Sequence, residues 1–246
     1  MSVEFDQIPF EPAYRRVAEA IGERILTRAL AEGARLPAET ELARQFGVHR
    51  STVREALREL ESRGLLERRP GSKLMSVSRP PHARIAAGVS HALLLHDVTV
   101  RDVWQALTIL EPPIAAAAAR ARSAEDLAAL DAATAATGAF GAGMTGADQA
   151  VRCTCEVFRC VARATHNPVL GLAQEPLLQL LEPSLQVIID KVPQARTRIA
   201  TAHARLHESI RARNETEARR WMERHIADFS RGYQLAGIDL GLRLSL

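Results

Sequence analysis

The sequence predicts a mainly helical fold in two parts: three helices and a β-hairpin at the N-terminus, then an antiparallel bundle of six or seven helices. Length is the first sign, because 246 residues exceed the about 100 to 200 of one ordinary domain. Composition is the second. The chain is 47% hydrophobic and 25% charged, a globular balance, yet only 4% aromatic, and its 42 alanines against 14 glycines favour helix over strand. The third is periodicity: apolar residues recur at helical spacing almost throughout, and strand-like patterning is confined to 65–77.

Residues 14–31 set Val17, Ala18, Ile21, Ile25, Leu26 and Ala29 on one stripe, with Gly33 closing this first helix. Pro37 opens a second helix, with Glu39 and Glu41 in its first turn, Leu42 and Phe46 facing inward, and Gly47 at its end. Val48 and His49 separate it from a third helix at 50–63, which buries Val53, Leu57 and Leu60 and stops at Gly64. Leu65 to Arg68 and Lys73 to Val77 read as two strands around a Pro70-Gly71-Ser72 turn. Three helices followed by such a hairpin form a winged helix-turn-helix, expected with its N-terminal arm over 1–78. A stiff linker containing Pro80 and Pro81 is expected over 79–84. The all-helical domain then occupies 85–246, with helices near 84–96, 100–121, 123–136, 148–165, 168–190, 195–213 and 215–236, and a turn between Gly138 and Gly146. Five consecutive alanines at 115–119 permit close helix approach in the core or at a subunit interface.

Charge is unevenly placed. The whole chain carries +3, whereas residues 50–80 alone hold eight Lys or Arg against four Glu. Cys153, Cys155 and Cys160 form no spaced disulfide framework and read as reduced, buried small hydrophobes rather than oxidant sensors. The acidic start Met1 to Asp6 lacks the basic and apolar regions of a signal peptide, and no apolar run reaches the about 18 residues of a membrane span. A soluble, cytoplasmic protein is expected.

Reading duplex DNA requires an element that fits the major groove, donors for base edges and donors for flanking phosphates. The helix at 50–63 offers all three. Arg50 and Arg54 share one face of its first turn, where each can donate twice to guanine O6 and N7. Ser51 and Thr52 lie between them as phosphate donors at the positive end of the helix dipole. Arg35 is a further phosphate candidate, and the wing brings Arg68, Arg69, Lys73 and the permissive Gly71. Arg58 stays open between a DNA contact and a solvated face paired with Glu55, Glu59 and Glu61.

The run Arg35-Leu36-Pro37-Ala38-Glu39-x-Glu41-Leu42-Ala43, then Phe46-Gly47-Val48-x-Arg50-x-Thr52-Val53-Arg54-Glu55-Ala56-Leu57-Arg58-x-Leu60, then Gly64-Leu65 and Gly71, closely resembles the DNA-binding domain of the GntR family of bacterial transcription regulators. The resemblance implies that Arg35, Arg50, Ser51, Thr52, Arg54 and Gly71 contact operator DNA and that a homodimer reads a palindrome; Lys73 is a further DNA-binding candidate from its place in the wing. His49 departs from the family's usual Ser or Thr, and as a poorer N-cap it costs about 1 kcal/mol of local stability; it bears on phosphate contact or base preference.

The second domain resembles the FCD effector-binding and dimerisation domain of the FadR-type branch. That likeness rests on Leu110-Glu111, Ala164-Thr165-x-Asn167-Pro168, His203-x-x-Leu206 with Ile210, and Ala218, Met222 and His225-Ile226. Many members of that branch hold a divalent metal with an Asp and a His four residues apart and two later histidines. His203 and His225 match the later pair, but an ungapped register from Ala164 puts Thr154 and Phe158 where the first two ligands stand, and Leu107 replaces a common arginine. A register shifted by one would instead bring Cys155 to His203 and His225 as a three-ligand zinc site, at the cost of a deletion that rotates the helix by about 100°. The ungapped register implies no cofactor and a pocket of Leu107, Thr154, Phe158, His203 and His225 for an apolar, acyl or aromatic effector. The expected function is therefore a ligand-responsive repressor with no membrane partner. The alternatives are an architectural DNA-binding protein without effector control and a metal-dependent enzyme using His203 and His225.

Overall fold

The computed structural model describes residues 12–79, 82–141 and 146–244. The N-terminal arm, Pro80 and Pro81 of the expected linker, and most of the turn before Gly146 lie outside these residues. The chain divides into two compact units, 1–81 and 82–246.

In the first unit α1 (Ala13–Leu26), α2 (Glu39–Phe46) and α3 (Arg50–Ser62) precede an antiparallel hairpin of β1 (Leu66–Arg68) and β2 (Met75–Val77), in which Leu66 pairs with Val77 and Arg68 with Met75. Val17, Ile21, Leu42, Val53, Leu57, Leu60, Leu66, Met75 and Val77 share its core. The first helix is shorter than the apolar stripe suggests. It stops at Leu26 because Arg28 takes a left-handed φ of 62° and Leu30 N–H turns back to the Arg24 carbonyl. Leu26 and Ala29 consequently leave the buried face, and Leu26 is 75% exposed. Gly33 does not end α1; its N–H donates to the Val77 carbonyl, and Leu36 N–H to Met75, so the segment before α2 lies along β2. Gly47, at φ 65°, ends α2 in the left-handed conformation that glycine adopts without strain.

The second unit contains α4 (His82–Leu95), α5 (Val100–Ala121), α6 (Ala124–Gly141), α7 (Ala147–Arg163), α8 (Pro168–Lys191), α9 (Ala195–Arg211) and α10 (Glu215–Ala236). Helix α4 begins inside the stretch expected as a linker, and α6 runs through Gly138. Helix α5 is central, packing on α7, α8, α9 and α10, while α6 covers α7 and α9 and α4 lies on α8. Within 115–119 only Ala117 is part-exposed, and the missing side-chain bulk lets α5 approach its neighbours closely. Trp104 Nε1 donates to the Ile226 carbonyl at 3.0 Å, joining α5 to α10. Thr99 and Asp102 form a reciprocal capping box at the start of α5, and Leu244 N–H returns to Val98 at 2.9 Å. The fold is mainly helical, a winged helix-turn-helix followed by a helical bundle, as the sequence predicts.

Candidate functional site

Helix α3 begins immediately after Gly47, Val48 and His49. His49 occupies the N-cap with φ −67° and ψ 149°, and no side chain accepts from the exposed helix N–H groups. Its carbonyl accepts from Thr52 N–H at 3.0 Å instead. Arg50, Ser51 and Arg54 are exposed on the first turn, with Thr52 half-buried beside them. Arg35 is exposed at the β2 edge, opposite Ser76.

Arg50 and Arg54 do not pair with the glutamates of their own helix. Both converge on Glu39 of α2: Arg50 Nε donates at 2.8 Å and Arg54 Nη2 at 2.9 Å to the same Oε2. Hydrogen bonds from Arg54 and then Arg50 hold the Glu39 carboxyl down at about 2. The arginine side chains remain 59% and 46% exposed, against 21% for Glu39. In the sequence Glu39 stands only at the dipole of α2; its separation of 11 and 15 residues from the arginines conceals the pairing. A groove lined by Glu39, Arg54, Arg58, Glu61, Arg68 and Met75 continues from this cluster towards the wing. In the wing, Gly71 has φ 77° with open space around it, Lys73 is exposed, and Arg68 Nη1 donates to the Lys73 carbonyl at 2.9 Å.

In the second unit Phe158, His203 and His225 come together. His203 Nε2 and His225 Nε2 lie 3.1 Å apart, Phe158 stacks on His225 with ring centroids at 5.4 Å, and Phe229 meets His225 edge-on at 4.8 Å. Burial lowers the pKa of His225 to about 4 and that of His203 well below its ordinary value, so both rings are neutral at pH 7. Leu107 and Thr154 are fully buried in the same unit, and the Thr154 hydroxyl donates to the Ala150 carbonyl at 2.9 Å. Beside Phe158, Gln174 Nε2 donates both to the Phe158 carbonyl and to buried Glu111, whose carboxyl burial raises to about 8. A hollow with Ile188, Ile199, Phe229 and Leu235 in its wall reaches His225, and the Arg198–Asp228 ion pair lines it.

The three-ligand zinc site of the shifted register is not assembled. Cys155 lies against α8, among Arg159, Glu175 and Glu182, whereas Phe158 of the same helix meets the histidines. Among the described residues no three His, Cys, Asp or Glu side chains are placed to hold a metal ion. Two imidazoles fall short of the three protein ligands a zinc centre takes, and His203 Nδ1 lacks the hydrogen-bond acceptor that a metal-bound histidine ordinarily has. The residues present therefore do not fit that group. Burial also pushes the Cys155 thiol up, and Cys160 up to about 11, against thiolate chemistry at pH 7.

The profile described as "Bacterial regulatory proteins, gntR family" matches residues 13–74, and that of the "FCD domain" matches residues 102–228. The chain is 28% identical to the HTH-type transcriptional repressor NanR of Cronobacter sakazakii over 85% of its own length and 81% of that protein. It is 45% identical to the mannosyl-D-glycerate transport/metabolism system repressor MngR of Escherichia coli, over 25% of this chain and 26% of that one. Among solved structures it is similar to Streptococcus agalactiae GntR, with a TM-score of 0.66 and 25% identity over 89% of this chain and 99% of that chain.

Proposed function

The chain belongs to the GntR family of transcription regulators, in its FCD-domain branch, and on that premise we propose that it is a ligand-responsive repressor that binds a palindromic operator as a cytoplasmic homodimer. The family regulates transcription and is not a family of enzymes, so no catalytic role attaches to His203, His225 or Cys155. The observation that carries the DNA reading is the exposed pair Arg50 and Arg54, one turn apart at the start of a helix delivered by the sharp Gly47 turn. Those two read base edges. Arg35, His49, Ser51, Thr52, Gly71 and Lys73 hold the flanking backbone. The repressor names of NanR and MngR support the sign of control.

The effector is an apolar, acyl or aromatic metabolite, bound without metal around Leu107, Thr154, Phe158, His203 and His225. The supporting observation is that Phe158, which the ungapped register sets at a ligand position of the branch, presents a ring face to His225. Effector binding shifts the population between states that hold two winged helices at different spacing.

Selection from randomised duplexes tests the DNA reading. The wild-type chain is expected to enrich an inverted repeat, and Arg50→Ala or Arg54→Ala to lose about 1 to 3 kcal/mol on that duplex and much less on random DNA. Enrichment of no sequence would favour the architectural alternative.

A further inference from the structure

Glu39 is a single carboxylate between two arginines, and its geometry is unequal. Arg50 is held through Nε alone, at 2.8 Å. Its two outer nitrogens, Nη1 and Nη2, make no hydrogen bond among the described residues. Arg54 is held through both Nε, at 3.3 Å, and Nη2, at 2.9 Å. A guanidinium anchored through Nε keeps the end-on pair of donors that matches guanine O6 and N7, so Arg50 can read a base with the anchor intact. Arg54 is engaged side-on and has to share one nitrogen or turn away from Glu39.

The charges add a second consequence. Two exposed guanidinium groups without a counter-ion would bind any phosphate, because counter-ion release rewards positive charge irrespective of sequence. Glu39 offsets one of the two, and its position on α2 rather than α3 ties the arginines to the neighbouring helix. Hydrogen bonding to both arginines keeps it ionised throughout the pH range of DNA binding.

We propose that Glu39 is a specificity-setting residue of the DNA interface: it holds Arg50 with both outer nitrogens available to one base, restrains Arg54, and suppresses sequence-independent phosphate binding. This rests on the reading of Arg50 and Arg54 as base readers. Glu39 acts through those arginines, as a positioning residue that need not touch DNA.

The test uses the full-length chain, the duplex that wild type selects and a scrambled duplex of equal length, each titrated at several salt concentrations. Glu39→Gln keeps the size of the side chain and an acceptor oxygen but removes the charge. The expected result is tighter binding to the scrambled duplex, a salt dependence steeper by about one unit in the logarithmic slope, and a specificity ratio about tenfold lower. In a chain that already carries Arg50→Ala and Arg54→Ala, Glu39→Gln should leave the ratio unchanged. An unchanged ratio in the single variant would overturn the proposal, as would an equal fall in the background lacking both arginines. If Arg50→Ala and Arg54→Ala themselves leave the ratio untouched, base reading fails and the proposal fails with it. If they lower it while Glu39→Gln does not, only the role of Glu39 is lost.

Discussion

Glu39 and Glu111 are both carboxylates on helices, α2 and α5, and their surroundings drive them in opposite directions. Hydrogen bonds from two arginines hold Glu39 at about 2, whereas burial with one amide donor raises Glu111 to about 8. The folded protein therefore binds more protons at Glu111 than the unfolded chain does between 4.5 and 8. Its stabilising contribution is present below 4.5 and is lost as pH rises through 8. His225 has the reverse sign: lowered from 6.5 to about 4 by burial, it contributes above 6.5 and its contribution is lost as pH falls to 4. Trp104 and Trp221 both lie in the second unit, so denaturant unfolding followed by their fluorescence reads this unit alone. Glu111→Gln should flatten the decline in stability between 4.5 and 8, and an unaltered pH profile would remove Glu111 as its source. His203 and His225 were legible as a pair from their place in the resemblance. The stacking of Phe158 on His225, with His203 edge-on to the same ring, was not, because aromatic contact across three helices leaves no spacing in the chain.

At the scale of elements, helix existence follows from periodicity and helix ends follow from local turns. The apolar stripe of α1 predicts five residues too many because Thr27 and Arg28 break the helix without a glycine or proline to announce it. Gly47 and Gly64 do announce their turns, and both have positive φ. Gly47→Ala should cost about 1 kcal/mol through left-handed strain and weaken DNA binding further by reorienting α3. Circular dichroism melts and titration of the selected duplex would read the two effects separately. At α5, Thr99→Ala removes the hydroxyl that accepts from Asp102 N–H and should cost about 1 kcal/mol in urea unfolding. A cost near zero there would mean that the paired tail at Leu240 and Leu242 suffices to hold the helix start.

Across the whole molecule, the DNA-binding unit is far more legible than the effector unit. Its proposed DNA contacts lie within forty positions of one another, on a turn and helix of the kind that enters a major groove. The proposed effector pocket draws on α5, α7, α9 and α10, so its chemistry depends on a register that the sequence leaves open between Phe158 and Cys155. The structure brings Phe158, rather than Cys155, to the histidines. Elemental mass spectrometry of tag-free protein is accordingly expected to find zinc, nickel and manganese well below one equivalent per chain. One equivalent that disappears in His203→Ala would reinstate a metal centre. Thermal shift with acyl and aromatic acids should then find ligands that raise the melting temperature of the second unit, through mass action on its folded state.

In the proposed function this regulator reads sequence through Arg50. The most direct measurement is equilibrium binding of wild type and Arg50→Ala to the selected duplex and to its scrambled counterpart, at one fixed salt concentration. Loss of about 1 to 3 kcal/mol on the selected duplex, with little change on the scrambled one, is the expected result. Equal losses on both would assign Arg50 to the phosphate backbone and contradict the claim.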